Sequence, residues 1–283
     1  MPAIDLHIHS TASDGRLSPV DIIRKSAEEG LAVIALTDHD TVDGIDPALK
    51  AVRAFPWLTL IPGVEISTDV TEGEVHVLGY FINHTDRDLE AALEKMRNSR
   101  QERARRMVTK LHSMGCHIRW ERILEIAGGG AIGRPHIAQA MIEKGYVESL
   151  KEAFSRYVGR DGPAYVNRYK VTPTQAVELV LQANGLPVMA HPLTVREPES
   201  MVINLKAAGL IGIEAYYAGY TKEDIERLVG IADRYGLVTT GGTDYHGLDA
   251  STETAIGGVD IPIESVECLL ALAEQPGLKL ASL

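Results

Sequence analysis

Short runs of branched and small apolar residues alternate along the chain with stretches whose apolar positions recur every three or four residues. "AIDLHIH", "LAVIALT", "LTLIPGVEIS" and "EVHVLGYFI" read as β-strands in the first third. "LPVMAHP", "LIGIEAYY" and "LVTTGGTDYH" read as strands in the second half. The helices between them carry start and stop signals. "SPVDIIRKSAEEG" has Ser18 as N-cap, Pro19 at the first position, Asp21 closing a capping box and Gly30 at the end. Thr172, Pro173 and Gly185 bound "TPTQAVELVLQANG", and Thr221 and Gly236 bound "TKEDIERLVGIADRYG". Alternating βα units predict a parallel sheet or a barrel.

The alternation stops between residues 86 and 168. "DRDLEAALEKMRNSRQERARRMVTKLHSMG" is one long helix pattern, with Leu89, Leu93, Met96, Met107, Leu111 and Met114 as its apolar stripe. Two or three further helices follow, through "GRPHIAQAMIEKG" and "SLKEAFSRYVG". The expected organisation is an α/β domain over residues 1–85 and 169–283, interrupted by a helical insertion over 86–168.

Composition narrows the class. With 283 residues, 45% of them hydrophobic, the chain can bury a sizeable core. A formal net charge of −11 makes nonspecific nucleic-acid binding unfavourable, while leaving room for a locally positive pocket. The two cysteines, Cys116 and Cys268, are far apart and form no metal or disulfide pattern, which fits a reducing cytoplasm. No signal peptide and no bilayer-spanning run is expected.

The opening strand then raises a question of chemistry. Residues two apart on a strand share a face, so His7 and His9 converge, opposite Leu6 and Ile8. Two neighbouring imidazoles suit a divalent cation; a surface pair without a ligand is the alternative. The remaining strands repeat the theme. His39 lies in "TDHD" between Asp38 and Asp40, Glu65 in "GVEIS", His76 in "EVHVLGY", His191 in "MAHP", and Asp244 and His246 in "GGTDYH". Active-site groups of β/α barrels gather at the C-terminal strand ends. Mixed imidazoles and carboxylates bind Mn²⁺, Fe²⁺ or Zn²⁺. The set is larger than one ion needs, and a carboxylate such as Glu65 can bridge two. Clustered ions acidify a shared water and clamp the oxygens of a phosphate ester, which suits phosphoester hydrolysis.

"DLHIHS", "TDHDT", "GVEIS", "AHP" and "GTDYH", in this order and over nearly the whole chain, resemble the PHP (polymerase and histidinol phosphatase) family. The resemblance implies a distorted (β/α)7 barrel with two or three divalent ions, Mn²⁺ foremost, with Fe²⁺, Zn²⁺ or Mg²⁺ as alternatives. It implies His7, His9, Glu65 and Asp244 on a first ion, Glu65, His76 and His191 on a second, and Asp14, His39 and His246 on a third. Histidinol phosphatases of the family carry a histidine where Asp14 stands; an aspartate hardens that site towards Mn²⁺ or Mg²⁺. The inserted segment with its "GRPH" resembles the stand-alone branch, which includes phosphatases of 3′,5′-nucleoside bisphosphates and a 5′-to-3′ exoribonuclease.

The implied activity is metal-dependent hydrolysis of nucleotide phosphate monoesters or of short 5′-phosphorylated RNA, through a metal-bridging hydroxide held by Glu65. Asp14, His39 and His246 would also face the substrate. No membrane and no obligatory protein partner is implied. In the insert, "RNSRQERARRMVTK" holds Arg97, Arg100, Arg103, Arg105, Arg106 and Lys110, a solvated helix face in the plainest reading. Arg100, Arg103, Arg134 and His136 are the expected phosphate donors, because the related branch uses this region as a substrate lid and arginine forks bind phosphate bidentately. Asp5, Asp38 and Asp40 are expected to orient imidazoles. Three rivals remain: a histidinol-phosphate-type phosphatase, an amidohydrolase-like enzyme, since amidohydrolases also place HxH on a first strand, and a non-catalytic metal-binding module.

Overall fold

A computed structural model describes residues 3–68, 70, 75–128, 132–167, 171–248 and 253–274. The chain divides into two compact units, Met1–Ala92 with Val171–Leu283, and Leu93–Lys170.

The first unit is built on seven strands in sequence order: β1 (Ala3–Ile8), β2 (Leu31–Leu36), β3 (Thr59–Ser67), β4 (His76–Tyr80), β5 (Leu186–Met189), β6 (Gly212–Tyr217) and β7 (Val238–Gly242). Helices α1 (Pro19–Glu28), α2 (Ile45–Val52), α7 (Pro173–Gln182), α8 (Pro198–Ala208), α9 (Lys222–Tyr235) and α10 (Ile263–Ala273) connect or follow them. The N-cap hydroxyl contacts read from sequence form, but Asp21 accepts from the Ser18 hydroxyl and does not close the expected box on the Ser18 amide, and the left-handed residue after α7 is Asn184, not Gly185. The Ser18 hydroxyl accepts the Asp21 amide at 3.1 Å. Thr172 and Gln175 cap α7 reciprocally, and Gly236 ends α9 at φ 59. Such caps satisfy amides that a helix start leaves without partners.

Six strands continue one direction, as βα alternation predicts, but β4 runs antiparallel to both β3 and β5. The reversal follows from the short β3–β4 connection, which has no room for a crossover helix. It interrupts the βα alternation within the expected barrel and matters for the site. His76 is the first residue of β4, not one near its C-terminal end, and its reversed strand places it opposite Ser67 at the C-terminal end of β3.

The sheet nearly closes into a barrel. Ile8 pairs in parallel with Tyr245, and the His9 amide donates to the Tyr245 carbonyl at 2.9 Å. Gly242 makes this approach feasible: a Cβ there would lie 2.3 Å from the His7 Cβ and 2.6 Å from the His7 nitrogen. Ile4, Leu6, Ala35, Leu78, Val188 and Leu269 belong to one buried cluster that ties four strands around to α10.

The second unit is helical. Helix α3 (Arg87–Ser113) starts in the first unit and runs into it, followed by α4 (Trp120–Ala127), α5 (Arg134–Glu143) and α6 (Leu150–Ala153), the last passing into a π-helical turn at Phe154–Val158. Met107, Leu111, Ile123, Ile137 and Met141 form its own core. Five of the six positions of the α3 stripe are buried; Met114 lies just past the helix end and is 38% exposed.

Replacing Gly242 by alanine forces β7 away from β1. Thermal unfolding is expected to register a loss of about 1–3 kcal/mol, the usual cost of overpacking a filled site. An unchanged Tm would show that the two strands separate freely.

Candidate metal centre

Six strands and the segments that leave them bring nine side chains to one place. His7 lies within β1 and His9 one residue beyond it, so the shared-face geometry holds and their ring centroids are 5.1 Å apart. Glu65 comes from β3, His76 from β4, and His39, His191, Asp244 and His246 from segments that follow β2, β5 and β7. Asp14 sits in the turn after β1.

The Glu65 carboxylate is the hub. Its Oε2 lies 3.2 Å from His7 Nε2, 3.2 Å from His9 Nε2 and 3.0 Å from His39 Nδ1. Its Oε1 lies 2.7 Å from His76 Nδ1 and 3.0 Å from His191 Nε2. Asp244 Oδ1 is 3.3 Å from His7 Nε2 and 3.0 Å from His9 Nε2. Asp14 Oδ1 is 3.4 Å from His246 Nε2, and Asp14 Oδ2 is 4.0 Å from His39 Nε2.

Hydrogen bonding does not account for this convergence. His7 Nε2, both nitrogens of His9, His39 Nδ1, Glu65 Oε2, Asp14 Oδ1 and Asp244 Oδ1 are buried without a hydrogen-bond partner among the described residues. Leaving so many buried polar atoms unpaired would be costly. Donor atoms about 2.1 Å from a common ion and at right angles to each other lie about 3 Å apart, the separation seen here. The side chains fit divalent cations. Three donor sets have atoms mutually within 4.8 Å: His7, His9, Glu65 and Asp244; His9, Asp14, His39 and His246; and His39, Glu65 and His76. Each pair of sets shares one residue: His9, Glu65 or His39. A neutral imidazole has one acceptor lone pair, so His9 and His39 can each serve one ion at a time, whereas Glu65 can serve two.

Backbone strain is concentrated here. Asp40, His191 and Asp244 adopt left-handed conformations, with φ of 52°, 59° and 54°. Such conformations cost non-glycine residues about 1–3 kcal/mol each and persist where the surroundings dictate them.

Two supporting residues were missed in the sequence. Glu214, in β6, is fully buried, and its Oε1 lies 2.9 Å from His7 Nδ1. That contact holds the proton on Nδ1 and leaves Nε2 facing Glu65 and Asp244. Tyr217 donates from its hydroxyl to Asp244 Oδ2 at 2.8 Å, leaving Oδ1 to the cluster. An acid inside the apolar run "LIGIEAYY" was the available signal for Glu214.

Asp5 and Asp38 act differently from expectation: they hold backbone and hydroxyls rather than imidazoles. Asp5 accepts from the Thr243 amide and hydroxyl, at 3.0 and 2.6 Å, and from the Gly257 and His7 amides. Asp38 accepts from the Ser10 amide and from the Ser10 and Ser13 hydroxyls. Asp40 accepts the Ser67 amide at 2.8 Å.

The four insert residues belong to the helical unit. The Arg134 guanidinium lies over the Phe154 ring at 5.3 Å and near the Tyr165 ring at 5.8 Å. His136 is buried, and its Nδ1 accepts the Gly133 amide at 3.0 Å. Arg100 and Arg103 are half-buried on α3, where Arg105 and Arg106 are exposed. Arg105 packs on Trp120, and Lys110 donates to the Tyr165 carbonyl, so these two cations have structural partners.

Burial alone would keep the imidazoles neutral, but the carboxylates dominate. His9 is pushed up to about 10: burial depresses it, and Asp244 and Glu65 together outweigh burial. His7 is likewise raised against burial by Glu214, Asp244 and Glu65. His39 goes the other way, to about 3, because burial prevails over Glu65 and Asp14. Glu65 and Asp244 are held well below the carboxylate range, burial being overcome by the facing imidazoles.

The strand ends of the barrel thus converge on buried imidazoles and carboxylates that could hold divalent ions. The PHP domain description matches residues 5–159, and the chain belongs to the PHP family. It is 33% identical over 258 residues to a 3′,5′-nucleoside bisphosphate phosphatase of Chromobacterium violaceum, covering 87% of this chain and 88% of that one. It is 33% identical over 246 residues to a 5′-3′ exoribonuclease of Haemophilus influenzae, covering 86% and 89%. A solved structure from Bifidobacterium adolescentis, assigned as a metal-dependent phosphoesterase, superposes with a TM-score of 0.84 at 29% identity, covering 95% and 96%. The chain is accordingly a hydrolase of the metal-dependent phosphoesterase type, on a nearly closed seven-stranded barrel. Among the described residues no helix is long and apolar enough to cross a membrane.

Metal uptake should compete with protons. Below about pH 10 the metal-free His9 carries a proton that a ligating nitrogen must lose, so affinity falls as pH falls. The expected slope is about one decade per pH unit for each proton displaced. Calorimetry of the metal-free protein with Mn²⁺, in buffers of different ionisation enthalpy, should detect proton release at pH 7; none would contradict the assignment. Two alanine variants separate the sets. His7→Ala should lose metal from the set around Glu65 and abolish turnover, while Asp14→Ala should lower the metal content by about one ion. Elemental analysis showing the reverse would overturn the partition.

Proposed function

We propose that this chain hydrolyses phosphate monoesters of nucleotides, with 3′,5′-nucleoside bisphosphates or short 5′-phosphorylated RNA as substrates. The carrying observation is the shared Glu65 carboxylate, whose two oxygens face five imidazole nitrogens within 3.2 Å. Such a centre suits two or three divalent ions, with Mn²⁺ favoured because the donors mix carboxylates and imidazoles. His7, His9, Glu65 and Asp244 would hold one, Glu65, His76 and His191 a second, and Asp14, His39 and His246 a third. This partition uses His9 and His39 once each and shares only Glu65. Bound there, the ions would acidify water and neutralise charge on the phosphoryl oxygens.

The protein's own groups do the positioning. Glu214 fixes the tautomer of His7, and Tyr217 turns the Asp244 carboxylate so that one oxygen faces the cluster. Asp38, bonded to Ser10 and Ser13, pins the turn that carries Asp14. Substrate contacts are assigned to Asp14, His39 and His246, and, for a second phosphate, to Arg100, Arg103, Arg134 and His136. Support for the nucleotide substrate comes from the bisphosphate phosphatase and exoribonuclease relatives, and from the aspartate at position 14.

The test is a substrate panel with metal-reconstituted protein: adenosine 3′,5′-bisphosphate, 5′-phosphorylated oligoribonucleotide, histidinol phosphate and an amide. Nucleotide hydrolysis should exceed that of histidinol phosphate and vanish in chelator. Arg134→Ala should lower kcat/KM about ten- to a hundredfold more on the bisphosphate than on methyl phosphate, the weight of one charge-assisted hydrogen bond. A preference for histidinol phosphate, or cleavage of the amide alone, would sink the reading.

A further inference from the structure

The strand that supplies Glu214 runs into a turn that does more than orient Asp244. After Tyr217 the chain makes a four-residue turn, Tyr217–Ala218–Gly219–Tyr220, closed by the Tyr220 amide donating to the Tyr217 carbonyl at 3.1 Å. Gly219 sits in it at φ 84 with nothing within 4 Å of a Cβ position, so glycine is there for its backbone freedom and not for space. Closing the turn sets its first and last side chains together, with ring centroids 5.0 Å apart and planes tilted by 50°.

The hydroxyls of this pair are tethered. Tyr217 donates to Asp244 Oδ2, and the Tyr220 oxygen accepts the Leu193 amide at 3.3 Å, in the short turn that follows His191. The Tyr217 ring is in turn 5.7 Å from the His191 ring. Both tyrosines are only half-buried, unlike Tyr80, which is sealed inside the unit. The result is an aromatic surface held at one end by Asp244 of the metal centre and at the other by the turn that follows His191. Ordering two tyrosine rings before a ligand arrives removes entropy that binding would otherwise cost.

We infer that Tyr217 and Tyr220 form a stacking platform for the planar base of the nucleotide whose phosphate is hydrolysed beside Asp244 and His191. A base offers a π-face whatever its identity, so the platform reads "nucleotide" rather than one particular base. It would distinguish nucleotides from sugar or amino-alcohol phosphates that carry no flat ring. This inference rests on the nucleotide reading above.

The experiment compares adenosine 3′,5′-bisphosphate with the abasic 3,5-bisphosphate of the same sugar, in the wild type, Tyr220→Leu, Tyr220→Phe and Tyr220→Trp. Tyr220→Leu should raise KM for the nucleotide about tenfold more than for the abasic compound, with kcat changing less; Tyr220→Phe should restore it, since the ring is kept. Tyr220→Trp provides a larger platform and should lower KM for the nucleotide. A readout independent of turnover accompanies this: saturation transfer from protein to the adenine protons of adenosine 5′-monophosphate, in Mg²⁺. It should be present in the wild type and in Tyr220→Phe and weak in Tyr220→Leu. Equal losses on both substrates, or undiminished saturation transfer in Tyr220→Leu, would overturn the platform while leaving nucleotide hydrolysis standing. Failure to hydrolyse any nucleotide would remove the functional reading, and the saturation-transfer measurement would then decide the platform by itself.

Discussion

A carboxylate with no access to water, surrounded by imidazoles, is the constraint that organises this molecule. Glu65 cannot be buried alone at a tolerable cost, and the histidines that face it cannot all be protonated without repelling one another. Divalent cations resolve both problems, because they replace protons as the counter-charge and use lone pairs that otherwise point at each other. Much else serves that arrangement. Asp5 ties Thr243 and Gly257 to β1, Glu214 anchors His7 from the opposite side, and three strained residues are held where relaxed backbone would carry their side chains away.

Barrel architecture brings donors from distant parts of the sequence to one rim, and one reversed strand refines it. With β4 antiparallel, a residue at its beginning reaches the same rim as residues beyond the ends of β2, β5 and β7. His76 therefore joins Glu65 across the adjacent strand pair, through a connection too short for a helix. The other seam, between β1 and β7, depends on absent atoms: Gly242 lets β7 close against the very residue, His7, that carries a donor.

The strands, the capped helices and the helical insertion were legible because each has a local cause: alternation, a hydroxyl before a proline, a glycine after a periodic run. The donors were legible for a different reason, since imidazoles are out of place in apolar strands unless something holds them. Strand direction was legible only in the length of the connection, eight residues between β3 and β4, and that signal was overlooked. Nothing in "EVHVLGYFI" says which way it pairs, because direction is set by the length of a connection and not by side-chain pattern. Glu214 was overlooked because a single acid in a strand has no periodic partner to draw attention to it; only its neighbour His7, over two hundred residues away, gives it meaning. Asp5 and Asp38 show the converse: a carboxylate next to a histidine in sequence need not touch its ring.

The insertion has a consequence for how the centre comes into being. β4 and β5 are neighbours in the sheet, yet the whole helical unit is threaded between them. During synthesis His7, His9, His39, Glu65 and His76 emerge first, and His191, Asp244 and His246 emerge only after the insertion has been made. Because the insertion has a core of its own, it can condense before β5 arrives, drawing its two ends nearer than a loose loop of equal length would. The half of the centre made first is thus an incomplete chelator for the time the ribosome takes to deliver the rest. The donor set is complete only once the last strand, with its pair of glycines, pairs beside the first.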